Sequence, residues 1–157
     1  MKSPANSQTL IRQMDDAQAR TLALIDGLNA EQLIGPMLPT VNPLLWEIGH
    51  VAYFYEYWVL RQHLKQSPLR EDVDALYDSI TIAHDDRWDL PLPGLAQTLD
   101  YIDTVFNRIR QALADGEDAR RDYLAQYAVY HHDMHNEAFT YTRQTLDYPA
   151  PRIEGGQ

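Results

Sequence analysis

The chain has 157 residues, 45% hydrophobic and 23% charged, which is typical of one globular domain with a substantial core. Its formal net charge of -10 at pH 7 argues against a nucleic-acid partner, because phosphate binding depends on clustered lysine and arginine. Cysteine is absent, which excludes disulfides, thiolate metal sites and a cysteine nucleophile, so any metal must be bound by histidine and carboxylate.

The N-terminus and the apolar windows predict a soluble, cytoplasmic protein with no membrane partner. Residues 1–4 lead directly into polar residues, without the hydrophobic region of a secretory signal. The most apolar window, residues 51–60, carries Glu56 and is much shorter than the roughly 20 residues that a membrane-spanning helix needs.

The first predicted helix begins at Ser7, which suits an N-cap, and repeats apolar residues at helical spacing as far as Leu28. Gly27 fits its end. The residues before it, 1–6, are predicted to be a loose tail, and residues 30–41 are predicted to form a loop.

The second predicted helix, residues 42–64, begins with Asn42 as the N-cap and Pro43 at the first helical position. It is apolar nearly all round, which indicates a central place in the fold. Residues 66–94 then form a long irregular connection, within which residues 71–77 could be a short helix.

The third predicted helix covers about residues 95–114 and the fourth about residues 118–146, each with an apolar stripe at 4-3-4-3-4 spacing. No useful run of alternating residues indicates a strand. We predict an all-α four-helix bundle with a long connection between its second and third helices. The domain is assigned to residues 1–148, and residues 149–157 are interpreted as a C-terminal tail or the start of a linker.

Three histidines occupy predicted core positions. His131 and His135 are one turn apart on the fourth helix, and His50 lies among aromatic residues of the second. An isolated histidine on an apolar face is usually a core residue with satisfied ring nitrogens. Two imidazoles side by side would need separate acceptors, and an unpaired buried polar group costs roughly 1–3 kcal/mol. A divalent metal satisfies both rings, so we predict a site bound by these three histidines.

Three neutral histidines leave coordination positions open on Zn, Fe or Ni, which suggests catalysis rather than a purely structural site. Glu47, one turn before His50, and Glu137, just after His135, could each orient a ligand ring or join the coordination sphere. Four further residues are candidates for supporting roles around the site: Tyr53, Tyr57, Tyr130 and His132.

His132 is predicted to point about 100° away from His131, and therefore to be exposed or to support the site from outside. The two remaining histidines, His63 and His84, have no comparable setting and are interpreted as surface residues. A carboxylate-bridged di-iron site does not fit the pattern. Glu47 and His50 form one Glu-x-x-His motif, but no histidine of the fourth helix has a glutamate three residues before it.

Two longer motifs and two shorter ones span nearly the whole chain. They are Asn42-Pro43-x-x-Trp46-Glu47-x-Gly49-His50-x-x-x-Phe54-x-Glu56, His131-x-x-x-His135-x-Glu137, Tyr77-Asp78-Ser79 and Arg87-Trp88-x-Leu90-Pro91. On these motifs the chain resembles the DinB-like (YfiT-like) superfamily of metal-binding four-helix bundles. More closely, it resembles the N-terminal domain of the sulfoxide synthases of ergothioneine biosynthesis and their selenoneine-forming relatives.

The resemblance implies that His50, His131 and His135 bind a non-haem Fe(II). In that family the iron activates O2 and joins the sulfur of a thiol, or the selenium of a selenol, to the imidazole ring of a trimethylated histidine. It therefore implies small-molecule substrates, a thiol or selenol and an imidazole compound. One departure is His132, where the family often has glutamate.

The synthases continue into a second domain, similar to the formylglycine-generating enzyme, which supplies much of the substrate pocket. Three hypotheses therefore remain open. The chain is an iron-binding oxidoreductase domain that is incomplete without the second domain, a stand-alone Zn- or Ni-dependent transferase of low-molecular-weight thiols, or a non-catalytic helical bundle that could form a homodimer. In both catalytic hypotheses the metal would bind and polarise the sulfur or act as a Lewis acid.

Overall fold

The computed structural model describes residues 6–153 and contains helices but no strand within that range. Six α-helices are present: α1 (Ser7–Ile25), α2 (Ala30–Ile34), α3 (Leu44–Tyr55), α4 (Val73–Tyr77), α5 (Leu95–Ala114) and α6 (Ala119–Thr145). The chain continues from α3 directly into a π-helix, Glu56–His63, and a short 3-10 helix covers Asp85–Trp88. The predicted all-α bundle is confirmed.

Four long helical segments form the bundle: α1, α3 with the π-helix that continues it, α5 and α6. Helix α1 packs mainly against α6, and α3 packs mainly against α5 while also contacting α6. Every residue of α3 except Phe54 is buried, as its all-round apolar sequence predicts. No helix of the described residues has both the length and the apolar character that crossing a membrane requires.

Two helix starts differ by one residue from the prediction. The N-cap of α1 is Asn6, whose side-chain oxygen accepts a hydrogen bond from the Thr9 amide at 2.8 Å, rather than Ser7. Helix α3 is preceded by Pro43 at the cap position. Asn42 does not cap the helix because its amide donates to Glu47 Oε1 at 3.2 Å and its carbonyl oxygen accepts from Arg87.

Two segments are more regular or less regular than the sequence pattern predicts. Residues 30–41 contain the short helix α2, which begins with a reciprocal capping box between Asn29 and Gln32. The second predicted helix changes to π geometry at Glu56, whose buried carboxylate accepts hydrogen bonds from the Tyr101 hydroxyl and the Leu69 amide. Side-chain contacts with later parts of the chain therefore accompany the change in helix type.

The connection between the second and third long helices is long, as predicted. It contains α4 within the stretch assigned to a short helix, and α4 packs against α3. Predictions for residues 1–5 and 154–157 lie outside the described residues. The domain limit at residue 148 stays a prediction; α6 ends at Thr145, and residues 146–153 are not helical.

Candidate metal centre

The contact between α3 and α6 brings three imidazole rings together. His50 projects from α3, and His131 and His135 project from successive turns of α6. His131 Nε2 lies 3.2 Å from His50 Nε2 and 3.2 Å from His135 Nε2. One nitrogen from each ring lies within 4.8 Å of the others, so the group could hold a metal ion.

The outer nitrogens of two rings are held by acceptors. His50 Nδ1 donates to the backbone carbonyl oxygen of Tyr77 at 2.8 Å. His135 Nδ1 lies 3.2 Å from Glu47 Oε1, and the carboxylate is only 2% exposed. Because a carbonyl and a carboxylate can only accept, the Nδ1 atoms carry the protons, and both Nε2 atoms present lone pairs.

His131 is held differently. Its ring stacks on Phe54, with the ring centroids 3.7 Å apart and 6° between the planes. Its Nδ1 is buried and has no hydrogen-bond partner among the described residues. A neutral imidazole carries one ring proton, so at most one proton lies among the three facing Nε2 atoms. This cluster of lone pairs favours a bound cation.

Burial keeps two of the rings neutral. Loss of hydration, followed by the proximity of His135, lowers the pKa of His50 to about 4. Loss of hydration, followed by His135 and His50, lowers the pKa of His131 to about 2. Near neutral pH both rings are therefore in the deprotonated form that binds metals.

The nitrogen spacing also fits a metal. Two nitrogens that each lie about 2.1 Å from one ion are about 3.2 Å apart when they subtend an angle of about 100° at it. Imidazole suits Zn, Fe and Ni, and a set of three protein ligands leaves coordination positions for other molecules. The residues present therefore fit a divalent metal.

A cavity of about 220 Å³ opens beside His50. Its wall includes five aromatic side chains and the short segment after α4: Tyr53, Phe54, Tyr57, Trp58, Tyr127, and residues 78–80. Three larger cavities, of about 510, 500 and 260 Å³, are lined by other residues and by none of the three histidines. The cavity beside His50 therefore offers a small molecule a place next to one ring of the triad.

The predicted supporting residues divide into two groups. Glu47 contacts His135, and Tyr53 and Tyr57 line the cavity, with the Tyr53 hydroxyl donating to Asp74 at 2.8 Å. Glu137 is exposed, makes no hydrogen bond to the triad among residues 6–153 and does not belong to the group that could hold a metal, so neither of its two suggested roles, orienting a ligand ring or joining the coordination sphere, is supported. Glu137 lies two residues after His135, which corresponds to a rotation of about 200° around α6, so its side chain points away from the triad.

Tyr130 and His132 also differ from the expectation. Tyr130 is 60% exposed and does not line the cavity, since it lies about 100° around α6 from His131. His132 is 0% exposed, with Nε2 2.8 Å from Thr21 Oγ1 and Nδ1 3.3 Å from the Tyr55 hydroxyl. Its direction on α6 faces α1 and the bundle core rather than water, so the alternative of exposure is wrong, and a supporting role behind the site stays a prediction.

The histidines interpreted as surface residues are partly buried and paired. His63 Nε2 lies 2.7 Å from Asp118 Oδ2. His84 contacts the Val41 carbonyl oxygen and Asp85, at 2.7 Å each. Two further contacts with the triad were not predicted, the stacking of Phe54 on His131 and the Tyr77 carbonyl on His50, although both residues stand in the motifs. Their roles depend on contacts between elements that spacing along one helix does not reveal.

The class that the fold and site define is a helical bundle with three converging imidazoles that could hold a metal ion, and comparison with known sequences identifies the family. The model of the DinB superfamily matches residues 13–145. The chain is 32% identical over 130 residues to the hercynine oxygenase of Mycolicibacterium thermoresistibile, covering 82% of this chain and 29% of that protein. This chain therefore belongs to the DinB superfamily, as its motifs predict.

Two further hercynine oxygenases are similar. The protein of Mycobacterium tuberculosis is 32% identical over 123 residues, which cover 77% of this chain and 29% of the relative. That of Mycolicibacterium smegmatis is 28% identical over 151 residues, which cover 95% and 35%. The chain thus spans about a third of the length of the curated relatives it matches.

Proposed function

We propose that this chain is the metal-binding domain of an oxygenase of the hercynine type, with Fe(II) bound by His50, His131 and His135. The convergence of their three Nε2 atoms in a buried, proton-poor cluster is the observation that carries the proposal. The similarity to three hercynine oxygenases favours iron and oxygen chemistry over other uses of such a site.

The residues around the triad have defined roles in this proposal. The Tyr77 carbonyl and Glu47 hold the Nδ1 protons of His50 and His135, so that each ring presents Nε2 to the ion. Phe54 fixes the plane of the His131 ring by stacking. The bound iron would supply activation of O2, and three protein ligands leave coordination positions for O2 and a substrate.

The cavity beside His50 is the proposed seat of the imidazole compound. Its volume of about 220 Å³ suits a small amino-acid derivative, and its aromatic walls offer flat faces to an imidazole ring. Hercynine, a trimethylated histidine, carries such a ring. The proposed reaction replaces a ring C–H bond and the S–H or Se–H bond by a bond from sulfur or selenium to the ring, and oxidises that atom to its oxide; O2 is the four-electron oxidant, and its second oxygen atom leaves as water.

We further propose that turnover requires a second domain, similar to the formylglycine-generating enzyme. Support comes from the length of the relatives, which extend far beyond the region matched by this chain. Thiol or selenol binding is assigned to the site that this second domain completes.

Metal content tests the proposal directly. The purified chain is reconstituted anaerobically with Fe(II), desalted and analysed by inductively coupled plasma mass spectrometry. About one iron per chain is expected for the wild type and for the control variant His63→Ala, whereas His50→Ala loses the iron. Failure of the wild type to retain any metal would contradict the proposal. Retention of zinc or nickel instead, lost in His50→Ala, would favour the thiol-transferase alternative.

Substrate proximity requires a second experiment that does not depend on turnover. Nitric oxide added to the Fe(II) protein gives an electron paramagnetic resonance signal that is sensitive to neighbouring molecules. Hercynine should change the shape of this signal at saturating concentration, and histidine should do so less. If iron binds but hercynine leaves the signal unchanged, the chain is a metal-binding bundle without the proposed substrate site.

A further inference from the structure

The end of α4 contacts α3 through two consecutive backbone carbonyls. Trp46 Nε1 donates to the Leu76 oxygen and His50 Nδ1 donates to the Tyr77 oxygen, each at 2.8 Å. Trp46 and His50 are one turn apart, and their rings stack with centroids 4.7 Å apart and 9° between the planes. The last carbonyls of a helix lack partners within it, so α4 offers one of them to Trp46 and the other to His50, the ring that belongs to the triad.

The position of the Tyr77 carbonyl depends on a close approach at Gly49. A Cβ atom built on Gly49 would lie 2.2 Å from Cε1 and 2.3 Å from Cζ of the Tyr77 ring. Tyr77 is fully buried and its ring stacks on Tyr101, so it has little room to move. Glycine is unfavourable inside a helix, yet at this position any side chain would displace the ring.

The Tyr77 contact decides which nitrogen of His50 carries the proton. A carbonyl oxygen only accepts, so the bond fixes the proton on Nδ1 and leaves a lone pair on Nε2, 3.2 Å from His131 Nε2. Without that acceptor the ring could hold its proton on Nε2, where it would block metal binding. The three residues after Tyr77, 78–80, form part of the cavity wall.

We propose that Tyr77 is a positioning residue for the metal ligand His50: its ring, seated on Gly49, places the carbonyl that keeps His50 Nε2 free for the metal. The inference rests on the metal site of the proposed function but is independent of the identity of the metal and of the reaction. The proposal links two sequence motifs, Gly49-His50 and Tyr77-Asp78-Ser79. The bonded residues, His50 and Tyr77, are 27 residues apart in the chain.

The state of the His50 ring can be measured without metal. Metal-free protein with 15N-labelled histidine is studied by two-bond proton–nitrogen correlation, with His50→Ala used to assign the signals. In the wild type His50 should carry its proton on Nδ1. In Gly49→Ala that preference should be lost, because the added Cβ displaces Tyr77. A merely structural role for Gly49 would not change the position of this proton.

Zinc affinity gives a second measurement. Loss of a residue that orients a metal ligand typically weakens binding about 10–100-fold, and we expect a loss in this range for Gly49→Ala in a chelator competition assay. The matched control is Gly94→Ala, where an added Cβ meets nothing within 4 Å and affinity should be unchanged. The proposal is wrong if Gly49→Ala lowers thermal stability but leaves both the tautomer and the zinc affinity at wild-type values.

Tyr77→Leu tests the same proposal from the other side of the contact, and it can be measured even if Gly49→Ala fails to fold. Together the two substitutions form a double-mutant cycle. Leucine is smaller and more flexible than tyrosine, so it should loosen the carbonyl and tolerate a Cβ on Gly49. The zinc affinity of Tyr77→Leu should fall, and adding Gly49→Ala should then cause little further loss. Wild-type tautomer and affinity in Tyr77→Leu, or additive losses in the double variant, would overturn the proposal. A wild type that binds zinc but not iron would contradict only the proposed function.

Discussion

His131 and His132 are neighbours on α6, yet their rings have opposite surroundings. His132 belongs to a closed chain of hydrogen bonds: the Tyr55 hydroxyl donates to Nδ1, Nε2 donates to Thr21, and Thr21 donates to Asn136. His131 has a buried Nδ1 without a partner among the described residues and an Nε2 that faces two other imidazole nitrogens. Burial alone therefore does not separate a candidate metal ligand from a core histidine.

The two clusters differ in whether each nitrogen or oxygen atom has a matching hydrogen-bond donor or acceptor. Each donor in the His132 chain meets an acceptor, and the Asn136 amide completes it by donating to the Ala17 carbonyl at 2.9 Å. The triad has three facing nitrogens and at most one proton for them. A satisfied histidine holds the helices in register, whereas an unsatisfied cluster is suited to bind an ion. Substitutions in the two clusters should therefore differ in their effects on metal binding and on stability.

His131→Ala should abolish stoichiometric metal binding, because two imidazoles remain and one of the three nitrogens at the centre is lost. Affinity should fall more than 100-fold, beyond the usual effect of removing a supporting residue. Isothermal titration with zinc measures it, with His132→Phe as the control that keeps the triad intact. Near-equal affinities for the two variants would show that the contrast is wrong.

His132→Ala should instead reduce the free energy of unfolding by roughly 2–4 kcal/mol, because it leaves a cavity and removes the partner of two buried hydroxyl groups. Urea denaturation of the metal-free protein provides the measurement. Metal stoichiometry of the folded variant should remain that of the wild type. A stable variant that has lost its metal would assign His132 to the metal site.

Metal should stabilise the folded chain through the triad. At a free zinc concentration 100 times the dissociation constant, the free energy of unfolding should rise by about 2.7 kcal/mol relative to the chelator-treated protein. Paired urea titrations with and without metal measure the gain. The gain should persist in the folded His132→Ala variant and vanish in His131→Ala; its persistence in His131→Ala would place the bound ion elsewhere.

Glu47→Gln should have the smallest effect, a loss of metal affinity of about 10-fold, or about 1.4 kcal/mol. The amide keeps the shape of the carboxylate but removes the charge beside His135 Nδ1. Thr21→Val is the matched change at the other cluster, since it removes a partner of His132 and should reduce stability without changing affinity. Competition titrations measure the metal affinity of both variants. A loss of affinity in Thr21→Val with wild-type affinity in Glu47→Gln would show that the contrast between the two clusters is wrong.

The site could be predicted from the sequence to the extent that local geometry defines it. The i, i+4 spacing of His131 and His135 places both on one face of a helix whatever the rest of the chain does. Spacing along α6 also gives the direction of His132 relative to His131. It does not tell which neighbour lies in that direction, and α1 with the core occupies the space that was expected to be solvent.

The helical pattern of the chain, the order of the long helices and the family motifs were determined by the sequence alone, because apolar periodicity and cap residues act over a few positions. The tertiary structure decided the partners of the ring nitrogens. Tyr77 is 27 residues from His50 and Glu47 is 88 residues from His135, so these bonds exist only after α3, α4 and α6 have packed. The sequence decides that a residue is histidine and can therefore bind a metal. The position of its ring proton and the orientation of the ring depend on hydrogen-bond partners that become neighbours only when the chain folds.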